Sequence, residues 1–196
     1  MAVYPGSDPI ILAFVVDVSS ANTDKAKREL LQVVSKMKAG DRAYLYAPAN
    51  AEVCKHPGMI AGAIVNSRKL EIKNLGEALK QTVCLMSIED MDAKKYVVLV
   101  SDANDKTFER YVKKGLSLDL RDRVGCWFVI CVIGEMDRTY LDSLCSSHPH
   151  CDCIVMNSLE GLGRRLCESC MDEILPNYCP LDIDQLREDF YGKEHA

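Results

Sequence analysis

The chain has 196 residues and a formal net charge of −5 at pH 7, with 48% hydrophobic and 27% charged residues. This composition is ordinary for a globular protein, and the length fits one domain, or one domain with a tail, that can bury a substantial core. The negative charge argues against nucleic acid or an anionic membrane as the main partner. Because no apolar run reaches about 18 residues, we expect no membrane-spanning segment.

The first predicted element is a buried strand from Ile10 to Val16, where seven apolar residues follow one another without interruption. Asp17 and Ser19 come next, and Asn22 is expected to cap a helix. The apolar face of that helix contains Ala26, Leu30, Val33, Val34 and Met37. A parallel strand that ends in Asp-x-Ser and turns into a helix places these polar groups at the carboxyl edge of a sheet. Open α/β proteins place their sites at that edge.

Strands and helices alternate along the rest of the chain. Strands are predicted at 42–47, 96–100, 127–133 and 153–156, and helical patterns occur at 74–86, 107–116, 137–144 and 159–175. Residues 59–65 are compatible with either a strand or a short helix. The alternation predicts an α/β fold, in which a doubly wound, mostly parallel sheet is flanked by helices.

Three stretches, in this order, carry a resemblance to a known family. They are Asp17-Val-Ser19, Asn-Leu-Gly-Glu-Ala-Leu at 74–79, and Val-Val-Leu-Val-Ser-Asp at 97–102. Over about residues 9–176 the chain resembles a von Willebrand factor A domain. The resemblance implies a doubly wound sheet and a metal-ion-dependent adhesion site, which takes Asp-x-Ser-x-Ser, a Thr from a mid-chain loop and an Asp from a later strand.

The same resemblance divides the chain into three parts. Residues 1–8 form an N-terminal extension, residues 9–176 the domain, and residues 177–196 a C-terminal tail with spare apolar residues that could dock on a partner. Residues 1–7 lack the charged start and cleavage site of a signal peptide. The sequence therefore favours a cytoplasmic location, with an excised extracellular domain as the alternative.

The implied metal site is incomplete in this chain. Its binding edge comprises Asp17, Ser19, Lys73, Asp102 and Asp105. Ala21, at the third motif position, has no side-chain oxygen, and Lys73 stands where the resemblance places the Thr. Because an ammonium group repels a cation, our hypothesis is that Lys73 lies between Asp17 and Asp102 and replaces the ion electrostatically.

No cofactor is therefore expected at this edge, and a bound Mg²⁺ is the alternative. Its ligands would be Asp17, Ser19 and Asp102, with water filling the missing positions. Asp105 could supply a further carboxylate and rescue such a site. A simpler interpretation also stays open, in which Asp17 and Ser19 only cap the helix that follows them.

The chain contains ten cysteines. We interpret Cys84, Cys126 and Cys131 as reduced core thiols, since free cysteine packs as a small hydrophobe. A second group of metal-ligating residue types lies in the last quarter, and comprises Cys145, His148, His150, Cys151, Cys153, Cys167 and Cys170. Three interpretations of this group remain open: reduced thiols, disulfides, and a Zn²⁺ site.

Two functions from different classes are compatible with these features. The first is a non-enzymatic protein–protein interaction module of the von Willebrand factor A type, acting in a larger or homo-oligomeric assembly. The second is a small metal-dependent α/β hydrolase or phosphoryl-handling enzyme that uses Asp17 and Asp102. An enzyme needs a nucleophile or general base beside this pair, and the sequence offers no clear one. The interaction module is therefore favoured.

Overall fold

A computed structural model describes residues 8–46, 57–89, 93–102, 126–134 and 151–171, and the single positions 110, 139, 142, 143 and 146. The described strands are β1 (Ile10–Asp17), β2 (Arg42–Tyr46), β3 (Lys94–Ser101), β4 (Cys126–Ile133) and β5 (Cys151–Met156). The described helices are α1 (Thr23–Lys36), α2 (Pro57–Asn66), α3 (Leu75–Ser87) and α4 (Leu162–Met171). These ranges leave out the C-terminal tail and nearly all of the N-terminal extension. They also leave out most of the predicted helices at 107–116 and 137–144.

The five described strands form one parallel sheet in the order β2-β1-β3-β4-β5. This arrangement confirms the predicted doubly wound α/β fold. The segment at 59–65, which the sequence left open, belongs to helix α2. Pro57 begins that helix, where the missing N–H of proline costs nothing, and the buried residues Ile60, Ala61, Ile64 and Val65 follow at helical spacing.

Both faces of the sheet are covered in the described part of the chain. Side chains alternate along a strand, so Leu12, Phe14 and Val16 of β1 pack against α1, α2 and α4, while its alternate residues pack against α3 on the other face. This explains why β1 is a continuous apolar run rather than an alternating one. None of the described helices is long and apolar enough to cross a membrane.

The order of the strands reverses between β1 and β3. From β1 the chain passes through α1 to β2 on one side, and it then returns through α3 to β3 on the other side. Open α/β sheets bind ligands beyond the carboxyl ends of the strands at such a switch point. Here Asp17 ends β1 and lies in register with Ser101, the last residue of β3.

The opposite, amino-terminal edge of the sheet is closed by buried polar groups. The carboxylate of Glu89 accepts hydrogen bonds from the Tyr44 hydroxyl and the Arg42 guanidinium. Lys95 is 1% exposed, and its ammonium donates to the carbonyls of Met86 and Glu89 at 3.3 and 3.1 Å. Satisfied in this way, buried charges can be tolerated in a core. This edge therefore contributes to the framework, and the carboxyl edge is left for the site.

Helix α4 packs closely on α1 through a glycine. The buried carboxylate of Glu29 in α1 accepts a hydrogen bond from the Gly163 N–H at 2.8 Å, at the N-terminus of α4. A carboxylate at this position satisfies an otherwise unpaired N–H and complements the helix dipole. A Cβ atom on Gly163 would lie 2.5 Å from the Glu29 carbonyl oxygen and 2.7 Å from Gln32 Oε1. The two helices can approach this closely only because residue 163 has no side chain.

We expect Gly163→Ala to destabilise the fold by about 1–3 kcal/mol, the usual cost of overpacking, although alanine is the better helix former. The clash is with a backbone oxygen, which cannot move aside cheaply. Gly58→Ala is the matched control, because that glycine is also helical and nothing lies within 4 Å of its added Cβ. Thermal melting checks both variants, and equal melting temperatures would contradict the packing argument.

Candidate functional site

The Asp102 carboxylate, just beyond β3, is held by the turn that follows β1. The Ser19 backbone N–H lies 3.0 Å from both Asp102 oxygens, and the Ser19 hydroxyl donates to Oδ2 at 2.6 Å. The Asn22 side-chain amide also donates to Oδ2, at 2.7 Å. Hydrogen bonds to a charged acceptor are stronger than those between neutral groups. Asp102 therefore fixes the shape of the Ser19–Asn22 turn.

Asp17 holds a different segment at the same edge. Its Oδ1 accepts a hydrogen bond from the Ile72 N–H at 2.8 Å, and its carbonyl accepts one from the Asp102 N–H at 3.3 Å. The next residue after β1, Val18, donates its N–H to the Leu70 carbonyl at 3.4 Å. The loop between α2 and α3 is thereby tied across the carboxyl end of β1. Asp17 and Asp102 thus each organise one loop of the site.

Lys73 directly follows Ile72, so its backbone lies at this edge, and its side chain is exposed. Among the described residues, none of the hydrogen bonds or ion pairs found joins Lys73 to Asp17 or Asp102. A position of its ammonium between the two carboxylates therefore stays a prediction. Asp105, the proposed extra carboxylate, lies outside the described residues.

The sequence predicts that the Asn22 side chain caps helix α1, and this prediction is wrong. Helix α1 does begin at Thr23, but the Asn22 side chain makes no capping hydrogen bond to it. The side-chain nitrogen of Asn22 donates to the Asp102 carboxylate at 2.7 Å, a charge-assisted hydrogen bond. By contrast, Asn74 Oδ1 caps α3 by accepting the Glu77 N–H at 3.1 Å. Sequence reasoning missed Asn22 as a site residue, since asparagine before a helix normally indicates a cap.

The residues at this edge do not fit the metal site that the resemblance implies. Ala21 offers no side-chain oxygen, Lys73 stands where the resemblance places a Thr, and Asp102 Oδ2 already accepts three hydrogen bonds. An ion bound to that oxygen would have to displace one of the three donors. Mg²⁺ prefers six oxygen ligands in near-octahedral geometry. Within the described ranges, moreover, no three His, Cys, Asp or Glu side chains come together in a way that could hold a metal.

The cysteines that were considered as one cluster are separated by the sheet. Cys151 and Cys153 pack with the face covered by α3, whereas Cys167 and Cys170 lie in the core on the face covered by α4. These four thiols therefore do not form a single site. Cys145, His148 and His150 lie outside the described residues, so their part in the proposed group stays a prediction. The seven cysteines that the structure describes form no disulfide with one another.

Burial makes several of these thiols poor nucleophiles. Burial raises the pKa of Cys126 to about 12, against a smaller opposing effect of the Lys95 charge. The pKa of Cys131 is raised by burial and then by the charges of Cys170 and Asp152, and the pKa of Cys170 is raised for similar reasons. Since the thiolate is the reactive form, these thiols are inert in the folded state. They serve as core packing groups, as predicted for Cys126 and Cys131.

An apolar cleft of about 280 Å³ lies between α3 and β2. Its lining includes Tyr44, Tyr46, Leu85, and the exposed residues Cys84 and Ile88. The side chain of Ile88 is 80% exposed. Cys84 is therefore the accessible thiol in this part of the molecule, contrary to its interpretation as a core residue.

The parallel sheet with helices on both faces is the arrangement found in von Willebrand factor A domains. A solved structure with this fold is the von Willebrand factor type A protein from Catenulispora acidiphila, which matches with a TM-score of 0.65 at 11% sequence identity. The match covers 84% of this chain and 42% of that chain, so this chain spans less than half of that protein's length.

At this level of identity the likeness establishes the fold and leaves the function to be argued from the site. No protein-family model matches the sequence, and no curated protein matches it either. The residues of the carboxyl edge must therefore carry the functional argument.

We expect a thiol reagent at pH 8 to modify Cys84 first among the seven described cysteines, because it is exposed. Cys126, Cys131, Cys167 and Cys170 should react only after unfolding, since they are buried and the pKa values of three of them are raised. Peptide mass mapping over time measures each rate, and the same reaction in guanidinium is the control. In the reduced interpretation, all ten cysteines react there without a reductant. Native modification of Cys131 or Cys170 as fast as Cys84 would contradict the assignment.

Proposed function

We propose that this chain is a non-enzymatic protein–protein interaction module of the von Willebrand factor A type. Its binding surface is the carboxyl edge formed by Asp17, Ser19, Lys73 and Asp102, with Asp105 as a further member. The observation that carries the proposal is the use of both carboxylates to hold loops, Asp17 through Ile72 and Asp102 through Ser19 and Asn22. Carboxylates that hold two loops in place through hydrogen bonds are better suited to a preformed contact surface than to a reactive centre.

The binding edge works without a metal ion in this proposal. The hydrogen bonds from Ser19, Asn22 and Ile72 satisfy carboxylate oxygens that an ion would otherwise need. Lys73, exposed beside Ile72, supplies positive charge near the two acids. The partner is a protein, either a second copy of this chain or another subunit of a larger assembly. Its contacts are direct, and need no ion to bridge them.

A metal-free edge predicts that the melting temperature is the same in Mg²⁺ and in EDTA. An ion at a hundred times its dissociation constant would add about 2.7 kcal/mol to the stability of the native state. For a chain of this length that corresponds to a rise of several degrees. Thermal melting in millimolar Mg²⁺, Mn²⁺ and EDTA makes the measurement. A rise of several degrees with either ion would overturn the metal-free edge.

Charge reversal at Lys73 tests the surface itself. We expect immobilised Lys73→Glu protein to recover none of the partner that the original chain recovers from a lysate of the source organism in EDTA. The free energy of unfolding should stay within about 1 kcal/mol of the original value. The expected result follows because the exposed cation faces the partner. Lys36→Glu is the matched control, since Lys36 is an exposed lysine at the far end of α1, by the opposite edge of the sheet.

Two outcomes count against the proposal. Equal recovery by Lys73→Glu and the original chain would place the partner surface elsewhere. Mg²⁺-dependent hydrolysis of a phosphate or ester substrate, lost in Asp102→Asn, would instead favour the enzyme that uses Asp17 and Asp102. Quantitative mass spectrometry of the recovered proteins measures the first, and a chromogenic phosphate ester measures the second.

A further inference from the structure

The Asn22 amide links two parts of the chain that are 80 residues apart. It lies in a short 3-10 turn, Ser20–Asn22, between β1 and α1, and its N–H donates to the Ser19 carbonyl at 2.9 Å. Its side chain is half-buried and reaches the Asp102 carboxylate rather than the helix it precedes. The side chain therefore does not cap the helix, and it connects the turn after β1 with the residue that follows β3.

The orientation of this amide follows from the chemistry of its partner. An ionised carboxylate only accepts hydrogen bonds, so the NH₂ group of Asn22, and not its oxygen, must face Asp102. Oδ2 of Asp102 accepts from Asn22 at 2.7 Å, from the Ser19 hydroxyl at 2.6 Å and from the Ser19 N–H at 3.0 Å. Oδ1 accepts from the Ser19 N–H alone among the described contacts. The amide thus completes the set of donors around one oxygen.

The position of Asn22 in the turn explains why its side chain reaches Asp102. Ala21 stands at the motif position that should supply a hydroxyl, and it has no side chain able to bind either an ion or Asp102. Asn22, the next residue, provides a side-chain N–H donor of partial positive charge at hydrogen-bond distance from the Asp102 carboxylate. A cation on Oδ2 would compete with that donor for the same oxygen.

We propose that Asn22 takes the part of the missing ion at this edge: its amide joins the β1 turn to Asp102 and excludes a cation from Oδ2. The inference rests on the proposed metal-free binding edge and identifies the residue that makes it metal-free. Lys73 supplies charge to the same edge, but Asn22 makes the direct contact. Asn22 is accordingly a positioning residue, which acts through Asp102 on the shape of the binding surface.

Replacing the amide by a carboxylate converts this donor into an acceptor. In Asn22→Asp two carboxylates and the Ser19 hydroxyl would converge on one point, and oxygens of this kind are the preferred ligands of Mg²⁺ and Mn²⁺. We expect the melting temperature of Asn22→Asp to rise by several degrees from EDTA to millimolar Mn²⁺, and that of the original chain to stay constant. Asn157→Asp, at an exposed asparagine after β5, adds the same charge and should not respond.

A double-mutant cycle provides a second readout that does not need Asn22→Asp to fold. Asn22→Ala should lower the melting temperature in the original chain, and it should have little effect when Asp102→Ala has already removed the acceptor. Equal losses in the two backgrounds would overturn the assigned contact. A helix cap alone would give that result, because it does not depend on Asp102.

The outcomes separate this inference from the proposed function. A response to Mn²⁺ by the original chain contradicts the metal-free edge, whatever Asn22 does. An unresponsive original chain, combined with a folded Asn22→Asp that also fails to respond, overturns the role of Asn22 in excluding the ion and leaves the metal-free edge standing. A response confined to Asn22→Asp, together with coupling in the cycle, supports both.

Discussion

The parallel pairing of β1 with β3 is the constraint on which the site depends. It runs from Ile10 opposite Lys94 to Asp17 opposite Ser101, so the two strands end at the same level. Asp17 and Asp102 therefore meet at one edge although 85 positions separate them in the chain. A shift of one residue in register would exchange the β1 side chains that face α3 with those that face α1, α2 and α4, and would disturb the packing of both helix layers. The geometry of the polar edge is thus maintained by the burial of the strands below it.

Much of the fold could be predicted because the buried strands are continuous apolar runs. The runs at 10–16, 96–100 and 127–133 became β1, β3 and β4, with ends shifted by two residues at most. The segment at 59–65 was ambiguous for a physical reason, since a short apolar run fits a buried strand and a buried helix equally well. Strand order was beyond reach from local patterns, because it depends on contacts between distant residues.

The site was predicted less completely than the fold. Asp17 is the last residue of β1, Ser19 and Asp102 follow the ends of β1 and β3, and contacts between these residues bring them together at one edge of the sheet. Asn22 was misread, since its local pattern indicates a cap and its actual partner lies 80 residues away. Sequence proximity also grouped Cys153 with Cys167 in one possible cluster, whereas the two residues pack on opposite faces of the sheet. Local spacing cannot show which side of a sheet a later helix will cover.

The contact between Glu29 and Gly163 affects the order in which parts of the molecule fold. It spans 134 residues, so the buried carboxylate of α1 remains without this partner until almost the whole domain has been synthesised. Contacts of such long sequence separation slow folding, because the chain entropy of closing the loop is lost before any contact compensates for it. Until α4 arrives, one face of α1 stays exposed to water. Helix α1, which starts at the carboxyl edge of the sheet, is therefore among the last of the described helices to be fully enclosed.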